Sequence, residues 1–261
     1  MKAEILKKEK LKIKFVLDNV NSSFVNALRR TVITDIPTLA IEDVSISKND
    51  SVLFDEIIAH RLGLIPIVTD LKTFVPPDAC KCKGKGCAKC QVKFKLKAVG
   101  PSVVYSEQLK SADPKIKPAF EKMPIVKLKE GQAVELEAVA VLGTGKEHTK
   151  WSAGTLTFQR YPEVEVDLKK CNGCGKCIDA CPKNIFEGKD KPKVKNNKVI
   201  ECHLCKACED ICEKKAITVK GLNDKYIIEV ESWGQLKPSE ILEQAGKINK
   251  EQLEEFKSEL K

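Results

Sequence analysis

Eight cysteines between positions 171 and 212 have the residue type and spacing that bind metal. They form two runs, Cys171-Asn-Gly-Cys174-Gly-Lys-Cys177-Ile-Asp-Ala-Cys181-Pro182 and Cys202-His-Leu-Cys205-Lys-Ala-Cys208-Glu-Asp-Ile-Cys212. Both read C-x2-C-x2-C-x3-C, a spacing at which thiolates hold an iron-sulfur cluster and the fourth cysteine of each run reaches the other run's cluster. The expected ligand sets are Cys171, Cys174, Cys177 and Cys212 for cluster one, and Cys202, Cys205, Cys208 and Cys181 for cluster two. Zinc sites separate two C-x2-C arms by about a dozen residues or more, whereas each run here crowds four cysteines together. A disulfide framework needs an oxidising compartment; no secretory leader is apparent, so the reducing cytosol is expected. His203 stands among cysteines that already complete a coordination sphere, and is expected as a neighbour, not a ligand.

A third group, Cys80-Lys-Cys82-Lys-Gly-Lys-Gly-Cys87-Ala-Lys-Cys90, spaces its thiols as C-x-C-x4-C-x2-C, with glycines that permit tight turns. Four thiolates this close fit one tetrahedral zinc, with a disulfide pair or a metal-free loop as the alternatives. Elsewhere the chemistry is sparse. His60 beside Arg61 has no nucleophile or carboxylate constellation around it and is expected as a packed or hydrogen-bonded side chain. Gly143-Thr-Gly145 lacks the strand-helix setting of a phosphate loop, so Gly143-Thr-Gly145-Lys-Glu-His148-Thr-Lys-Trp151 is expected as an interaction loop. No carboxylate cluster offers a site for catalytic magnesium.

The chain has 261 residues, 12 cysteines and a formal charge of +9. Cysteine ligation changes that charge: two four-iron clusters and a four-thiolate zinc would each carry about −2, leaving about +3. Bulk attraction to nucleic acid is therefore a weak inference. No apolar run reaches the roughly 18 residues of a membrane span. The cations are nearly all lysine, so Arg29, Arg30, Arg61 and Arg160 are expected at positions that need a planar fork.

The elements that position these groups follow from periodicity. Leu11, Ile13, Phe15 and Leu17 alternate as a strand with one buried face. Asn21, Ser22 or Ser23 then caps a helix carrying Phe24, Leu28 and Val32 on one face and Arg29 and Arg30 on the other, ended by Pro37. Residues 54 to 62 read as a helix with strands on either side, the second over Gly63-Leu-Ile-Pro66-Ile; from Val92 to Pro162 the pattern is mainly β. Phe186 to Lys198 reads as a charged surface linker between the two cysteine runs. Tyr226 to Glu231 is a strand, and after Pro238 comes an amphipathic helix with Leu242, Ala245, Leu253, Phe256 and Leu260 at helical spacing. Little sequence remains to cover that last stripe, so a partner helix is expected to do so.

Several of these stretches together resemble the RNA polymerase α-like, third-largest-subunit family in its archaeal form. Asn21-Ser-Ser-Phe24-Val-Asn26-Ala-Leu28-Arg29-Arg30-Thr31, Ile36-Pro37, Ala40-Ile-Glu42-Asp-Val44, His60-Arg61-Leu62-Gly63-Leu64-Ile65-Pro66 and Lys146-Glu147-His148-Thr149-Lys150-Trp151 carry the resemblance. It implies an α+β fold in three parts. A dimerisation domain would be built from both chain ends, 1–40 and 223–261. An inserted, mainly β domain would span 41–166 with the four-cysteine loop at 80–90, and a ferredoxin-like domain would span 167–222. Glu213 departs from the ferredoxin form, standing where the first run has Pro182.

The resemblance further implies a non-catalytic, cytoplasmic assembly subunit of a nucleotidyltransferase. It would pair with a small α-like partner, subunit L, and recruit the large catalytic subunits, meeting DNA only through the complex and no membrane. The seam would take Phe24, Leu28, Val32, Leu253, Phe256 and Leu260, with Arg29 and Arg30 toward a large subunit. The implied cofactors are two iron-sulfur clusters, expected as 4Fe-4S and structural or redox-sensing, and one zinc ion resembling that of the eukaryotic counterpart. The competing reading is an electron-transfer subunit built on a two-cluster ferredoxin. The roughly 200 residues outside the cysteine runs favour the scaffold.

Overall fold

A computed structural model describes residues 1–83, 85–188, 190–195 and 198–260; Gly84 of the four-cysteine loop and Lys189, Asn196 and Asn197 of the expected linker lie outside these. In chain order the elements are β1 (Lys2–Lys8), β2 (Lys12–Asp18), α1 (Ser22–Thr34), β3 (Thr38–Asn49), α2 (Asp55–Gly63), β4 (Gln91–Val99), β5 (Ser102–Tyr105), β6 (Lys110–Ser111), β7 (Pro124–Leu128), β8 (Ala133–Gly143), β9 (Gly154–Val166), α3 (Lys176–Asp179), β10 (Phe186–Glu187), β11 (Lys193–Val194), α4 (Ala207–Asp210), β12 (Ile217–Ser232) and α5 (Pro238–Glu259). The fold is α+β, and the chain divides into two compact units.

One unit comprises Met1–Lys8, Lys14–Asn26 and Thr157–Glu229. Its sheet runs in the order β1-β2-β12-β9. Ile13, Phe15 and Leu17 of β2 are buried as the alternation predicts. The expected strand at 226–231 is the end of a much longer one, β12, which starts five residues after Cys212. The cysteine runs fold in the same unit around Ile185, Phe186, Ile217 and Val219. The expected linker is a hairpin: β10 pairs with β11, Phe186 opposite Val194 and Glu187 opposite Lys193. Gly188, with φ of 106°, turns the chain where a Cβ would meet the Lys191 carbonyl at 2.4 Å.

The other unit comprises Glu9–Ile13, Ala27–Leu156 and Val230–Lys261. Its sheet runs β3-β8-β4-β6. On the core face of β4 and β8, Phe94 lies opposite Ala138 and Leu96 opposite Leu136. On the other face Lys95 pairs with Glu137 at 2.6 Å and Lys97 with Glu135 at 3.0 Å. The period of two thus puts the hydrocarbon in and the charge out from one register. Helix α2 covers the core face with Ile58 and Leu62. The strand expected after it does not form: Pro66 lacks an N–H, and only an isolated bridge joins Ile67 to Pro118. His60, expected to be packed or hydrogen-bonded, is exposed, so the packed alternative is not the one met. Arg61 fastens α2 by donating from Nη2 to the Pro124 carbonyl at 2.6 Å.

In α1 the Asn21 side chain caps the helix, its Oδ1 accepting from the Phe24 N–H at 2.8 Å. Val25, Leu28 and Val32 are all buried, and Thr31 Oγ1 donates to Asn249 of α5 at 2.5 Å. The loop expected to serve interaction instead closes the C-terminal end of α1. The Lys146 N–H donates to the Thr34 carbonyl at 2.9 Å, and a Cβ on Gly145 would sit 2.1 Å from the Ile33 carbonyl oxygen. Beside it Lys150 pairs with Glu42 and lies 4.3 Å from the Trp151 ring centroid. Gly145→Ala must therefore push backbone from backbone, at a cost of about 1–3 kcal/mol. Thermal unfolding should show a drop of roughly 3–10 °C. An unchanged midpoint would mean that the loop does not hold the helix end.

Candidate metal centres

The four-cysteine loop precedes β4, so that Cys90 adjoins the rigid edge of a sheet. Turns close on Cys80 and Cys87: the Lys83 N–H donates to the Cys80 carbonyl at 2.9 Å and the Cys90 N–H to the Cys87 carbonyl at 3.0 Å. Gly86 takes φ of 83°, open to a residue without Cβ. All four Sγ atoms lie within 4.8 Å of one another. Measured pairs are 3.6 Å for Cys80–Cys87, 3.5 Å for Cys82–Cys90 and 3.8 Å for Cys87–Cys90. A tetrahedron with Zn–S bonds of about 2.3 Å has S···S edges of about 3.8 Å, so the cage has the size of one zinc ion. A disulfide requires about 2.05 Å, and all four thiols are free. The Cys80 thiol, hydrogen-bonded to Cys82, holds the Cys82 thiol down to about 7, while burial pushes Cys90 up to about 12. One sulfur of the cage is thus ready to ligate near neutral pH, and Cys90 must give up its proton to an incoming cation.

The two runs make two cavities. Cys171, Cys174, Cys177 and Cys212 line the first, together with Pro192, Ile211 and Ile217. Cys181, Cys202, Cys205 and Cys208 line the second, with Pro182, Ile185 and Val219. Each cavity takes three cysteines from one run and the fourth from the other. Among the described residues, moreover, these thiols form no cage of single-ion size like that at 80–90. The donor set at each cavity, four cysteine thiols with three from one run and one from the other, fits an iron-sulfur cluster.

Burial tunes the donors. It raises the thiols of Cys177 and Cys202, and pushes that of Cys208 up to about 11, so a cluster bound there would have to displace protons. Cys174 and Cys205 are the exposed corner of each set. An N–H from Ala216 reaches Cys212 Sγ at 3.3 Å. His203 lines the second cavity as a neighbour of the cysteines.

Two features of this site escape residue-by-residue reading. Glu213, which departs from proline, receives Lys176 Nζ at 2.7 Å and so ties the second run to the first. The backbone also turns left-handed at matching places in both runs: Gly173, Gly175 and Asn184 in the first, Leu204, Lys206 and Lys215 in the second. Laying one run on the other would have revealed the correspondence. A left-handed non-glycine residue costs about 1–2 kcal/mol, so the second run carries more strain than the first.

The expected seam residues separate into two groups. Leu28 and Val32 are buried within the chain, at 7% and 0% exposure, so their stripe is already covered and they differ from the outward-facing role expected. Phe24 is partly exposed, Arg29 half-buried and Arg30 exposed. Among the described residues, the last side chain of α5 bonded to another element is Gln252, which donates to Asp35 at 3.3 Å. Beyond it Leu253, Phe256 and Leu260 stand 68%, 59% and 72% exposed. No helix of the described residues is long and apolar enough to cross a membrane.

Comparison with known proteins places these features in context. Residues 44–158 match the RNA polymerase Rpb3/RpoA insert domain, and residues 170–217 match a 4Fe-4S dicluster domain. The chain is 44% identical over 250 residues to DNA-directed RNA polymerase subunit Rpo3 of Methanosphaera stadtmanae, covering 93% of this chain and 92% of that protein. It is 42% identical over 254 residues to the Rpo3 of Archaeoglobus fulgidus, with 97% and 95% covered. With the Rpo3 of Methanosarcina acetivorans the identity is 39% over 258 residues, with 98% and 97% covered.

Proposed function

Because the chain belongs to the Rpo3 family of archaeal DNA-directed RNA polymerase subunits, we propose that it is the platform on which its polymerase assembles. It is a non-catalytic subunit of a nucleotidyltransferase complex, and its partners are other subunits of that complex. The observation that carries this reading is similarity along nearly the whole chain, with the dicluster segment as one part of it. An electron carrier would need only that segment, so the electron-transfer reading is not favoured.

In finer terms, a small α-like partner, subunit L, covers Leu253, Phe256 and Leu260 at the end of α5, with Phe24 also at the seam. Arg29 and Arg30 meet a large subunit. On this reading the chain is organised as a dimerisation domain at 1–40 and 223–261, a mainly β insert at 41–166 and a ferredoxin-like insert at 167–222. The two sulfur-lined cavities hold one 4Fe-4S cluster each, which brace the insert, and the loop at 80–90 holds zinc. Those thiolates need a reducing setting, which favours the cytoplasm. DNA is met only through the assembled enzyme.

Omission tests the central claim. Polymerase reconstituted from separate subunits without this chain should fail to bring the two large subunits together, and adding it should restore the complex. Assembly at unchanged yield in its absence would refute the platform role.

A further inference from the structure

The two cysteine runs are equal in ligands but unequal in backbone. Aligned on their cysteines, Gly173 falls opposite Leu204, Gly175 opposite Lys206 and Asn184 opposite Lys215. All six have positive φ: 75°, 70° and 48° in the first run, and 59°, 62° and 48° in the second. Glycine adopts this conformation freely and asparagine tolerates it, whereas in leucine and lysine the Cβ crowds the following carbonyl. The first run is thus written in residues that hold the wrap unaided. The second imposes the same wrap on three residues that resist it.

From this asymmetry we propose that the second cavity, lined by Cys202, Cys205, Cys208 and Cys181, is the conditional half of the insert. Its loop keeps its shape only while its cluster is bound, whereas the loop around the first cavity is preorganised for its own. The inference rests on the reading that both cavities hold clusters. Leu204 extends the consequence beyond the loop. Its Cδ1 lies 2.9 Å from where a Cβ on Gly221 of β12 would be, and that same point is 2.8 Å from Cβ of Arg160 on β9. The leucine side chain at 204 thus reaches β12 at Gly221, where the absence of a Cβ leaves it room. Release of the second cluster lets 204 relax, lifts that side chain and loosens the start of β12 at Ile217–Leu222 as well.

The test uses the full chain, purified without oxygen and treated with an iron chelator while iron release and backbone hydrogen exchange are followed together. Segment 202–216, with 217–222, should lose protection during the first half of iron release, and segment 171–185 only during the second. The Lys206→Gly, Lys215→Gly variant should slow the first phase roughly three- to tenfold. Simultaneous loss in both segments, earlier loss in 171–185, or an unchanged first phase in the variant would overturn the inference. If the variant does not fold, the order of protection loss in the unaltered chain decides alone. A chain that carries no iron would overturn the cluster reading itself, and this inference with it.

Discussion

Replacing both Leu253 and Phe256 with glutamate is expected to weaken binding of the small α-like partner by on the order of 100-fold or more, while the isolated chain stays folded. Covering a leucine or a phenylalanine side chain yields about 1.5–3 kcal/mol each, and each 1.4 kcal/mol is a factor of ten. Both side chains lie past the bond from Gln252 of α5 to Asp35 and are mostly exposed in the single chain. Their loss therefore costs this chain little and the pair a great deal, since a seam over them would have to bury two carboxylates. Leu28→Glu supplies the contrast. That residue is buried within the chain, so its charge should destabilise the chain before any partner is met. Co-purification with the small partner, read beside the thermal midpoint of each variant alone, separates the two effects. Undiminished co-purification of the Leu253→Glu, Phe256→Glu chain would remove the end of α5 from the seam.

That contrast also marks the limit of periodicity. A stripe at helical spacing says that a face is covered, and not by what. Val32 and Leu28 are covered from within the chain, and on the same helix Thr31 bonds to Asn249, a residue that no local pattern links to α1. The β alternation at Val92, Phe94 and Leu96 was legible because a sheet face repeats every second residue whatever lies opposite. The length of β12 was not, because Gly221 and Asn223-Asp224-Lys225 interrupt its alternation, yet the sheet pairs it on both sides, between β2 and β9. Pairing supplied by neighbours outweighs weak local propensity there.

The metal sites were the most legible part, since three of every four ligands come from one short run and the spacing itself sets their geometry. Left-handed positions at Leu204, Lys206 and Lys215 were hidden for the opposite reason. Residue-type rules point to glycine and asparagine, and the second run makes the same turns without them. Glu213 shows a related blindness: read as a departure from proline, it gains its meaning only from Lys176 across the insert.

Cys181→Ser provides the sharpest test of the crossed arrangement, because sequence position and cavity disagree for this residue. It belongs to the first run yet lines the second cavity with Cys202, Cys205 and Cys208. If each cavity holds one four-iron cluster, the unaltered chain carries about eight iron atoms and the variant should retain about four. The remaining signal should belong to Cys171, Cys174, Cys177 and Cys212, so that adding Cys174→Ser removes it while adding Cys205→Ser does not. Zinc should stay near one per chain throughout, because the cage at Cys80, Cys82, Cys87 and Cys90 is built on a different unit. Elemental analysis of anaerobically purified chains, with electron paramagnetic resonance after reduction, reads all of this at once. Iron unchanged in Cys181→Ser, or lost from the first cavity instead, would break the crossing; zinc absent from every chain would empty the third site. The crossing would also set the stakes of ligand loss: Cys181 lies in the first run and Cys212 in the second, so neither cluster would be held by its own run alone. A single serine at 181 should therefore loosen the second run and free the end of the first, a larger structural effect than losing a ligand that stays within one run.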